Sequence, residues 1–172
     1  MGKHKMMIVS ERFKMRGLTP SDATADYLSW LNSDVSQFIL NRQQTTDDLV
    51  TYINTQNNTP DTYLYGIFTK EAEQHIGNVK FILSEYSGGT SAEMGILIGD
   101  KNWHGKGVAK EAIFAFITIA KDKYNLKRVF LGVDKSNVPA VKAYIKMGFK
   151  TLEPDQLDDE SLSGVKMELL LN

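Results

Sequence analysis

Residues 99–109 read Gly99-Asp100-Lys101-Asn102-Trp103-His104-Gly105-Lys106-Gly107-Val108-Ala109, and the fold is decided by this stretch. It follows a β-branched run, Ser91 to Ile98, and opens a helix-periodic segment, Val108 to Tyr124. A strand-to-helix loop of this kind points consecutive backbone N–H groups and the positive end of a helix dipole at one spot, which suits the oxygens of a phosphate. Gly105 and Gly107 lack Cβ atoms, so the backbone can close on an anion with positive φ. Lys101, Lys106 and Lys110 add positive charge. Two familiar nucleotide loops do not fit. Gly99 lies one residue too far from Gly105 for G-x-x-x-x-G-K-[ST], and Gly107 stands where that pattern needs a hydroxyl. The G-x-G-x-x-G pattern fails at Lys110. A tight turn that uses glycine for geometry alone remains the bland alternative.

Working outward, Tyr63–Thr69, His75–Ser84 and Ser91–Ile98 are β-branched or aromatic runs separated by polar turns, with Gly88-Gly89 between the last two. They are expected to form an antiparallel meander. Upstream, Arg12–Leu18 alternates like a half-buried strand. Thr19-Pro20 then predicts a helix start, with Leu28 and Leu31 buried and Trp30 at the edge. Thr45 with Asp48 predicts a capping box for a second helix that buries Leu49, Tyr52 and Ile53 and ends in the polar run Asn54–Pro60. Downstream, the long helix should bury Val108, Ala112, Ala115, Phe116, Ile119 and Ala120. A buried strand at Arg128–Val133 follows. Asn137 with Pro139 starts another helix and Gly148 closes it. Phe149–Glu153 and Val165–Leu170 finish as strands around an acidic loop carrying Asp155, Asp158, Asp159 and Glu160. The expected fold class is α/β (α+β): a mixed, mostly antiparallel central sheet flanked by helices, with one parallel strand–helix–strand crossover.

At 172 residues, and with no linker rich in Pro, Gly or Ser, residues 1–172 are expected to be one domain. Such a chain buries about two thirds of its unfolded surface and needs no staple. Twenty Lys+Arg against 21 Asp+Glu give a net charge of −1, which argues against nucleic acid or a membrane surface as partner. The absence of cysteine excludes disulfides, thiol nucleophiles and thiolate metal sites. His4, His75 and His104 are too scattered to suggest a metal site. The start, Met1–Ser10, lacks the apolar core of a secretory signal, and the longest apolar run, Ala112–Ala120, is too short to cross a bilayer. A cytoplasmic location is the expectation.

Two blocks in order carry a family resemblance. His104-Gly105-Lys106-Gly107-Val108-Ala109 resembles the Q/R-x-x-G-x-G/A acyl-CoA loop of the GNAT superfamily of N-acetyltransferases. Asn137-Val138-Pro139-Ala140, Tyr144 and Gly148-Phe149 resemble its N-x-x-A-x-x-x-Y-x-x-x-G-F segment. The spacing between them fits one helix and one strand. His104 departs from the usual Gln or Arg; it can still donate a hydrogen bond but lacks the permanent charge of Arg. The pattern Phe13 to Leu18 with Tyr27 to Asp34 looks like the branch that contains ribosomal-protein-alanine N-acetyltransferases.

This resemblance implies acetyl-CoA as cosubstrate and direct transfer of its acetyl group to a primary amine, carried by a small molecule (an amino sugar, nucleotide amino sugar or polyamine) or a protein N-terminus. It implies that the strands Glu93–Ile98 and Arg128–Val133 splay, that the pantetheine arm adds to the edge at Ile96, Leu97 and Ile98, and that an N–H near Leu97 polarises the thioester. The diphosphate would lie on His104, Gly105, Lys106, Gly107, Val108, Ala109 and Lys110, with Asn137, Ala140 and Tyr144 also near the cofactor. Tyr144 is the candidate acid for the departing thiolate, or else packs with Ala140, Ala143 and Met147. Glu93 is the candidate base, or else an exposed carboxylate. Trp103 is read as a packing residue rather than a ligand-stacking one, and His75 as structural or on the surface. Trp30, Tyr52 and Tyr86, together with Glu85, would border the acceptor, where aromatic residues at helical spacing are commonly core. A homodimer is compatible with the late strands. A non-catalytic acyl-CoA-binding module is the alternative, and Glu93 and Tyr144 favour the enzyme.

Overall fold

The computed structural model describes residues 6–32, 45–152 and 164–172. Within them β1 (Ile8–Val9) and β2 (Phe13–Gly17) lead into α1 (Ala25–Leu31) and α2 (Thr46–Asn58). The meander β3 (Thr62–Thr69), β4 (His75–Tyr86) and β5 (Gly89–Ile98) follows, then α3 (Val108–Tyr124), β6 (Leu126–Asp134), α4 (Val138–Met147), β7 (Lys150–Thr151) and β8 (Gly164–Leu170). They build one sheet in the order β1-β2-β3-β4-β5-β6-β8-β7. Pairing is antiparallel throughout except between β5 and β6, the two strands joined through α3. The mixed sheet with one parallel crossover is therefore the observed architecture. The acidic loop and residues 33, 34 and 153 of the expected elements lie outside the described residues.

One face of the sheet packs on α3. Phe13, Met15, Ile67, Phe81, Met94, Val129, Leu131 and Met167 meet Ala112, Ile113, Phe116, Ile117 and Ala120 there. Phe81 and Phe116 stack with ring centroids 3.5 Å apart, and both are all but fully buried. Phe116→Ala should cost about 3–5 kcal/mol in a denaturant titration, since it removes both the ring and its stacking partner's contact. The opposite face carries a second cluster, in which Tyr27 and Leu31 of α1 and Leu49 and Ile53 of α2 cover Leu18, Leu64 and Phe68. β3 lies between the two clusters and is buried along its whole length. This explains its unbroken apolar sequence.

Three expectations shift in detail. Thr19-Pro20 opens only a 3-10 turn, Pro20–Asp22, and α1 starts at Ala25 behind a second cap, Thr24, whose hydroxyl accepts the Tyr27 N–H at 3.2 Å. Asp22 accounts for the interruption. Its carboxylate turns back to accept the Thr19 N–H at 2.8 Å and both Arg16 Nη groups at 2.8 Å. Next, α2 runs through Asn58 instead of stopping at Asn54; the Thr45–Asp48 capping box starts it as expected, and the residues before Pro60 end it. In α3, Ile113 and Ile117 are fully packed while Ala115 and Ile119 are only half-buried. The stripe that meets the sheet is therefore centred on Ala112, Ile113, Phe116, Ile117 and Ala120.

Burial alone would disfavour a charged Asp22, but the hydrogen bonds from Arg16 and Thr19 outweigh it and hold its pKa below the ordinary carboxylate value. A depressed folded pKa stabilises the native state at neutral pH, and that contribution disappears as protons bind below about pH 4. Asp22→Asn should cost about 1–2 kcal/mol at pH 7 and flatten the acid limb of Tm against pH. An acid limb that keeps its wild-type slope would remove Asp22 as its cause.

Candidate active site

Pairing between β5 and β6 runs from Thr90–Leu126 to Glu93–Phe130 and stops. β5 continues on β4 to Ile98, and β6 continues on β8 to Asp134. The two parallel strands therefore diverge around a wedge. Ladder alternation decides which backbone groups face it. Gly99 donates its N–H to the Ile76 carbonyl on the β4 side, and bonded pairs recur at every second residue of an antiparallel ladder. Gly95 and Leu97 are thus tied to β4, while Met94, Ile96 and Ile98 turn their N–H and C=O groups toward β6; the Glu93–Phe130 pair takes the Met94 N–H, so the open stretch starts at the Met94 carbonyl. Leu171 donates to Lys127, so on β6 the same rule sends Gly132 toward the wedge. Leu97, expected at the open edge, is bonded on the other side because of this register, and its side chain packs with the α1–α2 cluster.

The loop follows directly. Asp100 caps a 3-10 turn, Lys101–Trp103, by accepting the Asn102 N–H at 2.9 Å. Gly105 and Gly107 then take φ of +71° and +75°, a left-handed region that side-chain-bearing residues avoid. The amides from Gly105 to Lys110 donate no backbone hydrogen bond within the described residues. Six unspent donors at the N-terminus of the 17-residue α3 make an anion cradle. His104 takes a different part from the one expected. Its Nε2 lies 2.7 Å from the Ile98 carbonyl, an acceptor, so that nitrogen carries the proton and the ring is turned to the end of β5. Trp103 packs edge-on against Phe13 at 5.3 Å, with Lys106 Nζ 5.5 Å above its ring.

The two side chains expected to carry chemistry lie on opposite faces of the sheet. Glu93 is exposed, at the last β5–β6 pair, on the sheet face away from α3. Tyr144 of α4 has its ring in the α3-side core against Phe149, at 5.6 Å. Burial pushes the Tyr144 pKa up to about 12. Asn137 caps α4, its Oδ1 accepting the Ala140 N–H at 3.4 Å, and Ala140 packs on the core.

This geometry coincides with a family match. The sequence profile described as Acetyltransferase (GNAT) domain covers residues 12–150. The chain belongs to the GNAT acetyltransferases. An uncharacterized N-acetyltransferase p20 from Bacillus licheniformis is 27% identical over 148 residues, 83% of this chain and 82% of the relative. A probable spermine N(1)-acetyltransferase from Bacillus subtilis subsp. natto is 33% identical over 51 residues, 30% of this chain and 34% of the relative. Among solved structures, a putative ribosomal-protein-serine acetyltransferase from Vibrio cholerae superimposes with a TM-score of 0.79 at 19% identity, covering 98% of this chain and 99% of that one. Membership makes the chain an acyltransferase.

On this GNAT scaffold the expected site residues divide. The wedge and the loop hold Ile96, Ile98 and Gly105 to Lys110, with Glu93 at the wedge's closed end and the His104 ring on the Ile98 carbonyl, whereas Leu97 is bonded toward β4. Of the aromatic residues proposed to border an acceptor, Trp30 packs on Tyr27 and His75, and Tyr52 lies over Lys80. Tyr86 faces Arg128, whose guanidinium also covers Phe130. Arg128 Nε pairs with Glu168 Oε2 at 2.8 Å. Glu85 falls on the opposite face from Tyr86, as its neighbour in a strand must. His75, read from sequence as structural or on the surface, stacks on Phe68 at 4.7 Å and bonds Asn78 at 2.7 Å. The sequence reading missed Arg12, which lies beside the loop although 93 positions before Gly105 (105 − 12). Nothing local to Arg12 signals that proximity. No helix among the described residues is long and apolar enough to cross a membrane, and no group of three or more metal-ligating side chains gathers there.

Proposed function

We propose that this GNAT chain transfers the acetyl group of acetyl-CoA directly to a primary amine. The observation that carries the reading is the adjacency of the β5–β6 wedge, with the Ile96 N–H and C=O open on its edge, to six unspent amides on the following loop. The loop fits a diphosphate in charge and donor count, and the edge fits an amide-bearing arm that adds as a strand would. The Ile96 N–H, facing the wedge, replaces Leu97 as the donor to the thioester oxygen.

Chemically, a C–N bond forms while the C–S bond breaks. Glu93, open to solvent, takes the amine's proton directly or through water. Tyr144 donates a hydrogen bond to sulfur as negative charge grows there. With its pKa near 12 the phenol stays neutral at physiological pH, and it supports the leaving group more by hydrogen bonding than by early proton release. Without cysteine in the chain, no thiol is available to carry an acyl-enzyme, and the bound amine attacks the thioester directly. The acceptor classes remain amino sugars, nucleotide amino sugars, polyamines and protein N-termini, in a cytoplasmic setting. Thiol release from acetyl-CoA, screened against these amines and short peptides, tests the reading. Release that depends on one class supports it. Coenzyme A binding with no release for any amine would favour a binding module instead.

A further inference from the structure

Arg12 stands beside the phosphate loop without belonging to it. It lies in the turn between β1 and β2, and Glu111 in the first turn of α3 holds it there. Glu111 Oε1 accepts the Arg12 main-chain N–H and the Ser10 hydroxyl, each at 2.7 Å, and Oε2 accepts Arg12 Nε at 2.7 Å. Burial would disfavour the charged Glu111, yet these three donors hold its pKa below the ordinary range. The Arg12 guanidinium carbon also lies 4.9 Å from the centre of the Phe13 ring, which packs on Trp103 of the loop. Backbone, ion pair and ring thus fix the guanidinium on three sides.

What this clamp leaves over is informative. A tie between the turn and α3 uses only Nε and the main chain, yet the two Nη groups find no hydrogen-bond acceptor among the described residues. Nη2 lies 3.7 Å from where a Cβ on Gly107 would be, beside the left-handed residue of the cradle. Arg12, Gly107 and Lys110 together line one groove of about 590 Å³ along α3. A planar fork with Nε committed to a carboxylate and its Nη donors directed past it is suited to bidentate capture of a phosphate.

We propose that Arg12, presented by Glu111, is a further contact for the phosphate oxygens of coenzyme A. The inference rests on reading the loop as the coenzyme A cradle. Those oxygens belong either to the diphosphate or to the ribose 3′-phosphate, and binding to the full chain separates the two. Isothermal titration is run with coenzyme A, 3′-dephospho-coenzyme A and pantetheine on wild type, Arg12→Gln and Arg12→Lys, with melting curves to check folding. Arg12→Gln is expected to weaken coenzyme A about tenfold and leave pantetheine unchanged. A penalty kept toward dephospho-coenzyme A supports the proposal with the diphosphate as the contact; a penalty lost supports it with the 3′-phosphate. Arg12→Lys is expected to lose several-fold, because a single ammonium lacks the planar fork that keeps Nε on Glu111 while the Nη groups reach a phosphate, and it decides the matter if Arg12→Gln does not fold. Coenzyme A affinity within twofold of wild type in the folded variants, or a loss that pantetheine shares, overturns it. Failure of the wild-type chain to bind coenzyme A at all would instead bring down the cradle, and this inference with it.

Discussion

Gly107→Val should abolish detectable coenzyme A binding, a loss of at least about 100-fold, while the protein stays folded. Position 107 has φ of +75° and immediately precedes α3. A β-branched residue there costs on the order of 1–2 kcal/mol, and relaxation to negative φ swings the adjoining peptide planes. The amides of residues 107 and 108 then no longer converge with those of Gly105 and Lys106. Charge-assisted hydrogen bonds contribute roughly 1.5–3 kcal/mol each, so losing two is enough for the predicted drop. Folding tolerates the change, since a Cβ at 107 would meet only Arg12 Nη2, at an ordinary 3.7 Å. Titration calorimetry with a parallel melt separates the effects: Tm should fall by a few degrees. Unchanged coenzyme A affinity in a folded protein would refute the cradle.

Tyr144→Phe should lower kcat roughly 100-fold and leave acetyl-CoA affinity within about twofold. The ring is nine-tenths buried against Phe149 and the α3-side core, so phenylalanine keeps the packing and only the hydroxyl is lost. With the folded pKa pushed up to about 12, the neutral phenol persists across the working range. The wild-type kcat should accordingly show no decline from Tyr144 ionisation between about pH 7 and 10. Binding and turnover that fall together would make Tyr144 a packing residue, and an unchanged kcat would remove it from the chemistry.

Much of this arrangement was legible in the residues because its causes are local. Val108–Tyr124 has the observed bounds of α3, since glycine precedes it, apolar residues recur at helical spacing and Asn125 closes it in the left-handed conformation. Asn137 and Gly148 bracket α4 for the same reason. The meander follows from alternating β-branched runs and the Gly88-Gly89 turn. Thr19-Pro20 misled because a good helix start was captured by Asp22, whose carboxylate found Arg16 on the preceding strand. The buried face of α3 was off by about one residue row because periodicity gives a stripe without saying how the helix crosses its sheet.

Side-chain types, caps and periodicity determined the elements, the parallel crossover and the glycine loop, because each arises from contacts within a few residues along the chain. Tertiary structure alone decided that Ile96 rather than Leu97 turns its N–H to the wedge, that the His104 ring bonds back to Ile98, and that Arg12 comes to lie beside Gly107. Strand register and the packing of distant segments set those outcomes, and a one-residue change in pairing reverses the direction of every backbone donor along an edge.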